Sequence, residues 1–323
     1  MIVRWGLGAL PDVLREVGVA RPYLVASPRW SALDLPLEPI GTWTEIPSHR
    51  IDEAAAQANA ADGVVAVGGG SAIDTAKAVS AETGLPLISI PTTYAGAEWT
   101  TYFGVRDPGR HMRGGGAGAH PAGIVYEPAL TLDLGRAETG GTAMNALAHC
   151  AEALYAKGHN PDADAEALAG ARLLATQLPR VLERPQDADG REKLLEGAMH
   201  AGAALGGSML ALGHAMAQAV GGRYGLPHGT LNGVCLPAAL RFNADIVPAA
   251  VRRFGEAIGA PDDPAAEVER LAALTGPTQL RELGVPEADL GALAETAAGR
   301  AGNQANPRPA TPEEIEQLLR AVW

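Results

Sequence analysis

The N-terminal part of the chain alternates short apolar runs with stretches of helical periodicity. Three runs, "PYLVAS" (22–27), "GVVAVGGG" (63–70) and "LPLISIPTT" (85–93), lack polar alternation. Strands that are covered on both faces of a parallel sheet have this pattern, whereas a strand with one wet face alternates apolar and polar positions. The pattern therefore predicts an α/β, Rossmann-like half built on a parallel sheet.

The remainder of the chain is helical in pattern almost throughout. Long Ala/Leu-rich segments follow one another from about residue 139, and Gly or Pro marks their ends. Further helices are predicted at 248–259, 264–275 and 311–322. We therefore expect two domains, an α/β domain over residues 1–137 and an all-helical domain over 138–323, with a ligand in the cleft between them.

A glycine-rich segment, "RHMRGGGAGAHP" (110–121), interrupts the α/β half. Two interpretations stay open for it, a mobile surface loop and a lid over a cleft. The segment "GIVYEPALTLDL" (123–134) then predicts a last strand that leads out of this half.

Composition narrows the class of partner. The 323 residues carry a net charge of −12, and no Lys/Arg-rich run is present. We therefore do not expect nucleic acid or an anionic membrane surface as a partner, and we expect a small-molecule substrate instead. Two cysteines cannot form a disulfide framework, and the N-terminus has neither a signal-peptide core nor a membrane span, so we expect a cytoplasmic protein.

The stretch "GGGSAIDTAK" (68–77) places three glycines and a serine between a predicted strand and a predicted helix. Free backbone N–H groups and the positive end of the helix dipole stabilise an anion at such a helix start. A tight turn explains the glycines equally well, because the stretch is neither a GxGxxG fingerprint nor a Walker loop. Asp74 and Lys77 could form a surface ion pair or contribute to the cleft.

Histidines and amides recur at helical spacing in the second half. Asn145 and His149 share one helix face, His214 and Gln218 share another, and His228 follows in a turn marked by Pro and Gly. Imidazole is a common ligand of Fe and Zn, and three protein ligands with an open position suit a Lewis acid. The pattern favours a metal or proton-transfer site.

Five segments together resemble the iron-containing alcohol dehydrogenase superfamily, and within it the maleylacetate reductase branch. They are "GGGSAIDTAK", "PTTYAGAEWT", "VYEPALT", "MNALAHCAEALYA" and "GHAMAQAVGGRYGLPHGTLNGVCLPAALRFN", and they cover about residues 60 to 245. The resemblance implies an N-terminal nucleotide-binding domain, a helical domain that carries the metal or substrate site, NADH or NADPH as cofactor, and a homodimer. It also implies nucleotide contacts, with Gly69, Gly70 and Ser71 at the pyrophosphate; Asp74, Thr92, Thr93 and Ser27 complete the predicted cofactor-binding set.

In metal-dependent members an Asp and three His hold the ion. These positions match Asn145, His149, His214 and His228, so the ion would lose its only anionic ligand. Two outcomes stay open: a bound Fe²⁺ or Zn²⁺, or an empty site in which the three imidazoles act as hydrogen-bond donors or acids toward a substrate carbonyl or carboxylate. In either case His149, His214 and His228 are the predicted catalytic residues.

Two further departures bear on function. Gln218 stands where the family usually has a second His, and Asn232 lies in the segment where maleylacetate reductases tend to have another. "LVASPRW" offers no acidic residue after the second strand, which favours NADPH or tolerance of both cofactors. The sequence predicts a reductase of a small carbonyl or maleylacetate-like substrate; the alternative is a repurposed member with lost or non-redox (lyase- or cyclase-type) activity on a specialised metabolite.

Overall fold

The computed structural model describes residues 1–323, which form two compact units. Unit 1 comprises Met1–Thr93 and Ala97–Thr131, and unit 2 comprises Tyr94–Gly96 and Leu132–Trp323. No helix is both long enough and apolar enough to cross a membrane.

Unit 1 is built on a six-stranded sheet in which every pairing is parallel. In spatial order its strands are β1 (Ile2–Trp5), β8 (His120–Tyr126), β5 (Pro86–Pro91), β4 (Gly63–Gly68), β2 (Pro22–Ala26) and β3 (Gly41–Trp43). A separate antiparallel hairpin pairs β6 (Phe103–Arg106) with β7 (Met112–Gly116). Three helices belong to this unit, α1 (Leu10–Val17), α2 (Ile51–Gln57) and α3 (Gly70–Thr83).

Both faces of the parallel sheet are buried, as the unbroken apolar runs predict. Val65 and Val67 of β4 pack with Leu10 and Val13 of α1 on one face. Val64 and Ala66 pack on the opposite face with apolar residues of α2 and α3. Alternate residues of each strand thus enter two separate cores. The predicted fold class is confirmed.

The structure departs from two local predictions in unit 1 and contains two strands that were not predicted. Residues Met112–Gly116 of the glycine-rich segment form strand β7 rather than irregular loop. Strand β8 ends at Tyr126, and a single 3-10 turn, Pro128–Thr131, follows it. The edge strands β1 and β3 were not expected, because runs of four and three residues give too short a pattern to recognise.

Unit 2 contains ten helices. They are α4 (Arg136–Ala153), α5 (Pro161–Glu183), α6 (Ala188–Gly207), α7 (Leu212–Tyr224), α8 (His228–Ala244), α9 (Pro248–Ile258), α10 (Pro264–Ala273), α11 (Leu290–Ala298), α12 (Ala301–Ala305) and α13 (Pro312–Ala321). Side chains fix several starts: Asn160, Asp187, Asp263 and Thr311 each accept a hydrogen bond from a backbone N–H of the first turn.

Helices α7 and α8 are apolar nearly all round, and both are largely buried. Met216 and Val220 of α7 pack with Leu231 and Val234 of α8 in a core that α11 and α13 complete. Polar side chains on these two helices are therefore held in a fixed environment, which is what a precisely arranged site needs.

Candidate active site

The predicted nucleotide loop lies at the carboxyl ends of three neighbouring strands. Gly68 ends β4, Ser27 follows β2, and Thr92 and Thr93 follow β5. The Thr92 N–H donates to the Gly68 carbonyl oxygen at 3.0 Å, so the two loops lie side by side. Ligands of open parallel sheets bind at this edge.

Close packing requires glycine at position 69. A Cβ on Gly69 would lie 2.9 Å from the Thr93 Cγ2, which is closer than two carbon atoms approach. Helix α3 begins at Gly70, and no side chain caps its first N–H groups. The hydroxyl oxygen of Thr93 is buried and has no hydrogen-bond partner. Uncapped N–H groups beside an unsatisfied hydroxyl fit the phosphates of a nucleotide.

Asp74 and Lys77 of α3 face each other, but the pair does not lie on the surface. Lys77 is buried, and its Nζ donates to the Thr100 Oγ1 at 2.7 Å and the Tyr102 carbonyl at 3.1 Å. The Asp74 carboxylate lies 3.4 Å from that Nζ and accepts from the Gly104 N–H at 3.2 Å. Both side chains therefore tie α3 to the segment around β6.

Unit 1 also contains a buried carboxyl, that of Glu98. The Tyr126 hydroxyl donates to the Glu98 Oε1 at 2.7 Å, and the Trp99 indole N–H donates to the Tyr126 oxygen at 2.8 Å. Burial raises the pKa of the Glu98 carboxyl, and it also raises the pKa of Tyr126 well above its ordinary value. The cluster makes unit 1 sensitive to pH.

In unit 2, three helices bring the predicted histidines together. His149 lies on α4, His214 on α7, and His228 is the first residue of α8 rather than part of a preceding turn. The rings of His149 and His214 are stacked with centroids 4.8 Å apart, and the His228 ring lies 5.7 Å from that of His214. Asn145, one turn before His149, belongs to the same cluster.

Glu152 orients His214. Its Oε2 accepts from the His214 Nδ1 at 2.6 Å and from the Ala211 N–H at 2.6 Å, and its Oε1 accepts from the His214 N–H at 3.2 Å. The carboxylate thus caps the start of α7, where the helix dipole favours a negative charge. Gly213 permits this approach, because a Cβ there would lie 2.9 Å from the Glu152 Oε1. The Nε2 of His214 remains buried without a hydrogen-bond partner.

Two carboxamides hold the other imidazoles. The Asn145 Nδ2 donates to the Ala95 carbonyl at 2.9 Å and lies 3.3 Å from the His149 Nε2. The Asn232 Nδ2 donates to the Asn145 Oδ1 at 2.6 Å and lies 3.1 Å from the His228 Nε2. The Oδ1 of Asn232 is buried without a partner.

The cluster does not suit a divalent ion as it stands. The Asn145 oxygen and two of the three Nε2 atoms already face amide hydrogens. The one carboxylate nearby, Glu152, is occupied by three N–H donors. No group of three or more His, Cys, Asp or Glu side chains is placed to hold a metal. The predicted Fe²⁺ or Zn²⁺ stays a prediction, and this donor set argues against it.

A guanidinium lies along the same face of α7. Gln218 follows His214 by one helical turn, and its Oε1 lies 3.5 Å from the Arg300 Nη1. Two turns after His214, a Cβ on Gly222 would lie 3.5 Å from the Arg300 Nη2. The histidine cluster therefore has a cationic side chain within about two helical turns.

Sequence reasoning did not select Glu152, Ala95 or Arg300 for the site. A signal existed for Glu152, because it follows His149 by three residues in an otherwise small and apolar helix, "MNALAHCAEA". Its pairing with His214 spans 62 residues of sequence. No local sequence pattern points to Ala95, which contributes its backbone carbonyl, or to Arg300.

Comparison with known proteins agrees with this fold. The model of the iron-containing alcohol dehydrogenase family matches residues 6–122, and the model of the C-terminal region of the same family matches residues 139–323. The chain belongs to the iron-containing alcohol dehydrogenase family. It is an NAD(P)-dependent oxidoreductase.

Among its relatives are several maleylacetate reductases. The enzyme of Pseudomonas knackmussii is 34% identical over 329 residues, which cover 98% of this chain and 93% of the relative. That of Sphingobium indicum is 39% identical over 281 residues, covering 86% and 79%. The crystal structure of maleylacetate reductase from Agrobacterium tumefaciens is 31% identical, with a TM-score of 0.89 over all of this chain and 95% of that one.

Proposed function

We propose that this enzyme reduces a small, acidic unsaturated ketone of the maleylacetate type with a reduced nicotinamide cofactor. Maleylacetate reductases are similar to this chain along almost its whole length. In a maleylacetate-type acceptor a C=C bond is conjugated with a ketone and carboxylates flank both. The site of such a reductase needs a nucleotide loop, a proton donor for the ketone oxygen and a cation for a carboxylate.

Unit 1 supplies the nucleotide loop in this proposal. Backbone N–H groups of Gly69, Gly70 and Ser71 bind the pyrophosphate, and the hydroxyls of Thr92 and Thr93 line the loop. Ser27 borders the same edge, since a Cβ on Gly68 would lie 3.0 Å from its Oγ. Asp74 acts on the loop only through α3, because its carboxylate is already bound to Gly104 and Lys77.

The segment after β2 favours NADPH over NADH. Arg29 lies over the Trp30 ring at 4.9 Å, and the Trp30 indole N–H donates to the Thr92 Oγ1 at 3.1 Å. A 2′-phosphate would therefore meet a cation beside the loop, and residues 27–33, directly after β2, contain no carboxylate to repel it.

Unit 2 supplies the chemistry at the acceptor. A reduced nicotinamide, when bound, would supply the hydride that saturates the C=C bond of the acceptor, which leaves negative charge to be neutralised at the ketone oxygen. The His214 imidazolium donates its Nε2 proton to that oxygen and gives an enol. The carbon next to the ketone then takes a proton from solvent while the enol hydroxyl returns its proton to His214, which leaves the saturated ketone. The Glu152 carboxylate balances the charge of the imidazolium and fixes the ring so that Nε2, not Nδ1, faces the reaction.

The remaining groups place the acceptor. His149 and His228 border His214 and present ring edges to the same space. The unpartnered Asn232 Oδ1 accepts a hydrogen bond from the enol hydroxyl once it forms. Arg300 binds a carboxylate within about two helical turns of His214, which favours acidic acceptors over simple aldehydes.

One observation carries this proposal: the buried His214–Glu152 pair leaves one imidazole nitrogen, at His214, unsatisfied. The test is a fluorescence titration with NADPH and NADH, followed by cofactor oxidation with maleylacetate, a monocarboxylic enone and simple aldehydes. We expect tighter binding of NADPH and turnover of maleylacetate above all others. Binding without turnover of any acceptor, or no binding at all, would favour the repurposed, non-redox alternative.

We further propose a homodimer in a reducing compartment such as the cytoplasm. Cys150 and Cys235 are buried free thiols, and burial raises the pKa of Cys235 to about 12. Sedimentation equilibrium tests the dimer, with a monomer mass near 33.2 kDa as the contrary result.

A further inference from the structure

We propose that Asn145 and Asn232 form a carboxamide bridge that takes the structural place of a metal ion and fixes the tautomers of two histidines. The inference concerns the resting site and is independent of which acceptor is reduced. It makes the two asparagines positioning residues. Both side chains are buried, Asn145 at 6% and Asn232 at 1% relative exposure.

One backbone carbonyl sets the direction of the whole bridge. The atom of Asn145 that lies 2.9 Å from the Ala95 carbonyl oxygen has to be the NH₂ group, because an oxygen there would meet another oxygen. The Asn145 oxygen therefore points toward Asn232, and the group that contacts it at 2.6 Å has to be the Asn232 NH₂. Neither amide can reverse without placing two oxygens or two NH₂ groups together.

The bridge then dictates where the imidazole protons lie. An NH₂ group has no acceptor, so the second hydrogen of Asn145 requires a lone pair on the His149 Nε2, and that of Asn232 requires one on the His228 Nε2. Both rings are therefore neutral and carry their proton on Nδ1. His214 also carries a proton on Nδ1, which donates to Glu152. All three imidazoles therefore carry a proton on Nδ1, and only the Nε2 of His214 is not engaged by an amide hydrogen.

The same hydrogens stand where a metal would have to bind. A divalent ion at this cluster would need the Asn145 oxygen and the three Nε2 lone pairs, and amide hydrogens engage three of those four atoms. Binding the ion would break these buried hydrogen bonds without gaining an anionic ligand. An Asp at position 145 would reverse the balance, since it brings a charge and has no hydrogen to offer to His149 or Ala95.

The first test uses the unaltered enzyme. Nitrogen NMR of protein labelled at its histidine side chains distinguishes the two neutral tautomers, and single His→Gln variants assign the signals. We expect His149 and His228 to be neutral and to carry their proton on Nδ1 in metal-free enzyme. A proton on Nε2 of His149 or His228 would overturn the proposal.

The second test adds Co²⁺, whose visible absorption reports coordination by imidazole. We expect no stoichiometric Co²⁺ site in the unaltered enzyme and the appearance of one in Asn145→Asp. Asn243→Asp is the matched control, because Asn243 and Asn306 form another fully buried amide pair. Each side-chain NH₂ group donates to the other side-chain oxygen, at 3.0 and 2.8 Å, and the Asn306 NH₂ group also donates to a backbone carbonyl. The Asn243→Asp variant should lose stability without gaining Co²⁺. A tetrahedral Co²⁺ spectrum in the unaltered enzyme would contradict the bridge even if Asn145→Asp does not fold.

Discussion

The glycine loop of unit 1 and the histidine cluster of unit 2 are built in opposite ways. The loop offers backbone N–H groups at the start of α3, and its close packing leaves no room for a side chain at Gly69. The cluster works through side chains from α4, α7 and α8 that orient one another. The loop therefore depends on the absence of side chains at its glycines, whereas the cluster depends on each polar side chain having its hydrogen-bond partner.

This difference predicts different responses to substitution. Adding a side chain to the loop fills the space that a ligand needs, so binding is lost. Exchanging one polar group in the cluster leaves the space but changes protonation or charge, so the rate or the acceptor preference should change while the cofactor still binds.

The largest effect is expected for Gly69→Asp. The added Cβ would lie 2.9 Å from Thr93, and the carboxylate would repel the pyrophosphate, so saturable binding of NADPH should disappear in the fluorescence titration. Gly84→Asn is the matched control at the other end of α3, where the backbone is left-handed (φ 72°) and nothing lies within 4 Å of a Cβ. If Gly69→Asp binds NADPH normally, the loop is only a turn.

Glu152→Gln should give the next largest effect. The amide cannot balance an imidazolium at His214, so we expect kcat to fall by roughly 10²- to 10⁴-fold with NADPH affinity unchanged. Steady-state kinetics with maleylacetate measures this. Glu166→Gln is the control, since Glu166 forms a partly exposed pair with His200 at 2.5 Å and lies outside the cluster. Equal losses in both variants would assign Glu152 a purely structural role.

A smaller effect is expected for Arg300→Gln. Loss of a charge-assisted hydrogen bond to a carboxylate costs about 1.5–3 kcal/mol, so KM for maleylacetate should rise roughly 10-fold or more with little change in kcat. KM for an uncharged enone should not change. Arg308→Gln, which removes an exposed pair with Glu314 at 2.9 Å, provides the control. An equal rise in KM for both acceptors would show that Arg300 does not distinguish charged from uncharged acceptors.

The smallest effect concerns the stability of unit 1. Burial raises the pKa of Glu98 in the folded state above its unfolded value, so its stabilising contribution is present below the unfolded pKa and is lost as pH rises through the folded pKa. Glu98→Gln is neutral in both states. Its Tm should therefore exceed that of the unaltered enzyme at about pH 8, and the difference should shrink toward about pH 5.

Exposed Glu82→Gln serves as the control for this stability measurement. A difference in Tm between Glu98→Gln and the unaltered enzyme that does not vary with pH would contradict the account of Glu98.

Local pattern predicted the loop better than the cluster. The triple glycine between a buried strand and a helix is a contiguous signal, and the strand order places Ser27, Thr92 and Thr93 beside it. Helical spacing placed Asn145 and His149 on one helix face and His214 and Gln218 on another. The contacts of Glu152 with α7 and of Asn145 with Asn232 join residues 62 and 87 positions apart, and no periodicity encodes such partners.

Short elements were missed for the same reason. Strands β1 and β3 and helix α12, of four, three and five residues, are set by pairing and packing with distant segments rather than by their own pattern. His228 was expected in a turn because Pro227 and Gly229 flank it. The structure instead uses Pro227 as the cap that begins α8, so His228 occupies the first helical position.

The most direct test of the account measures turnover by enzyme whose metal content is known. Chelator-treated enzyme would be assayed for metal by mass spectrometry and then for NADPH oxidation with maleylacetate, before and after addition of Fe²⁺ or Zn²⁺. The account predicts undiminished turnover with far less than one metal ion per chain and no gain on adding either ion. Loss of turnover on chelation and its return with one ion per chain would contradict proton donation by a metal-free His214–Glu152 pair.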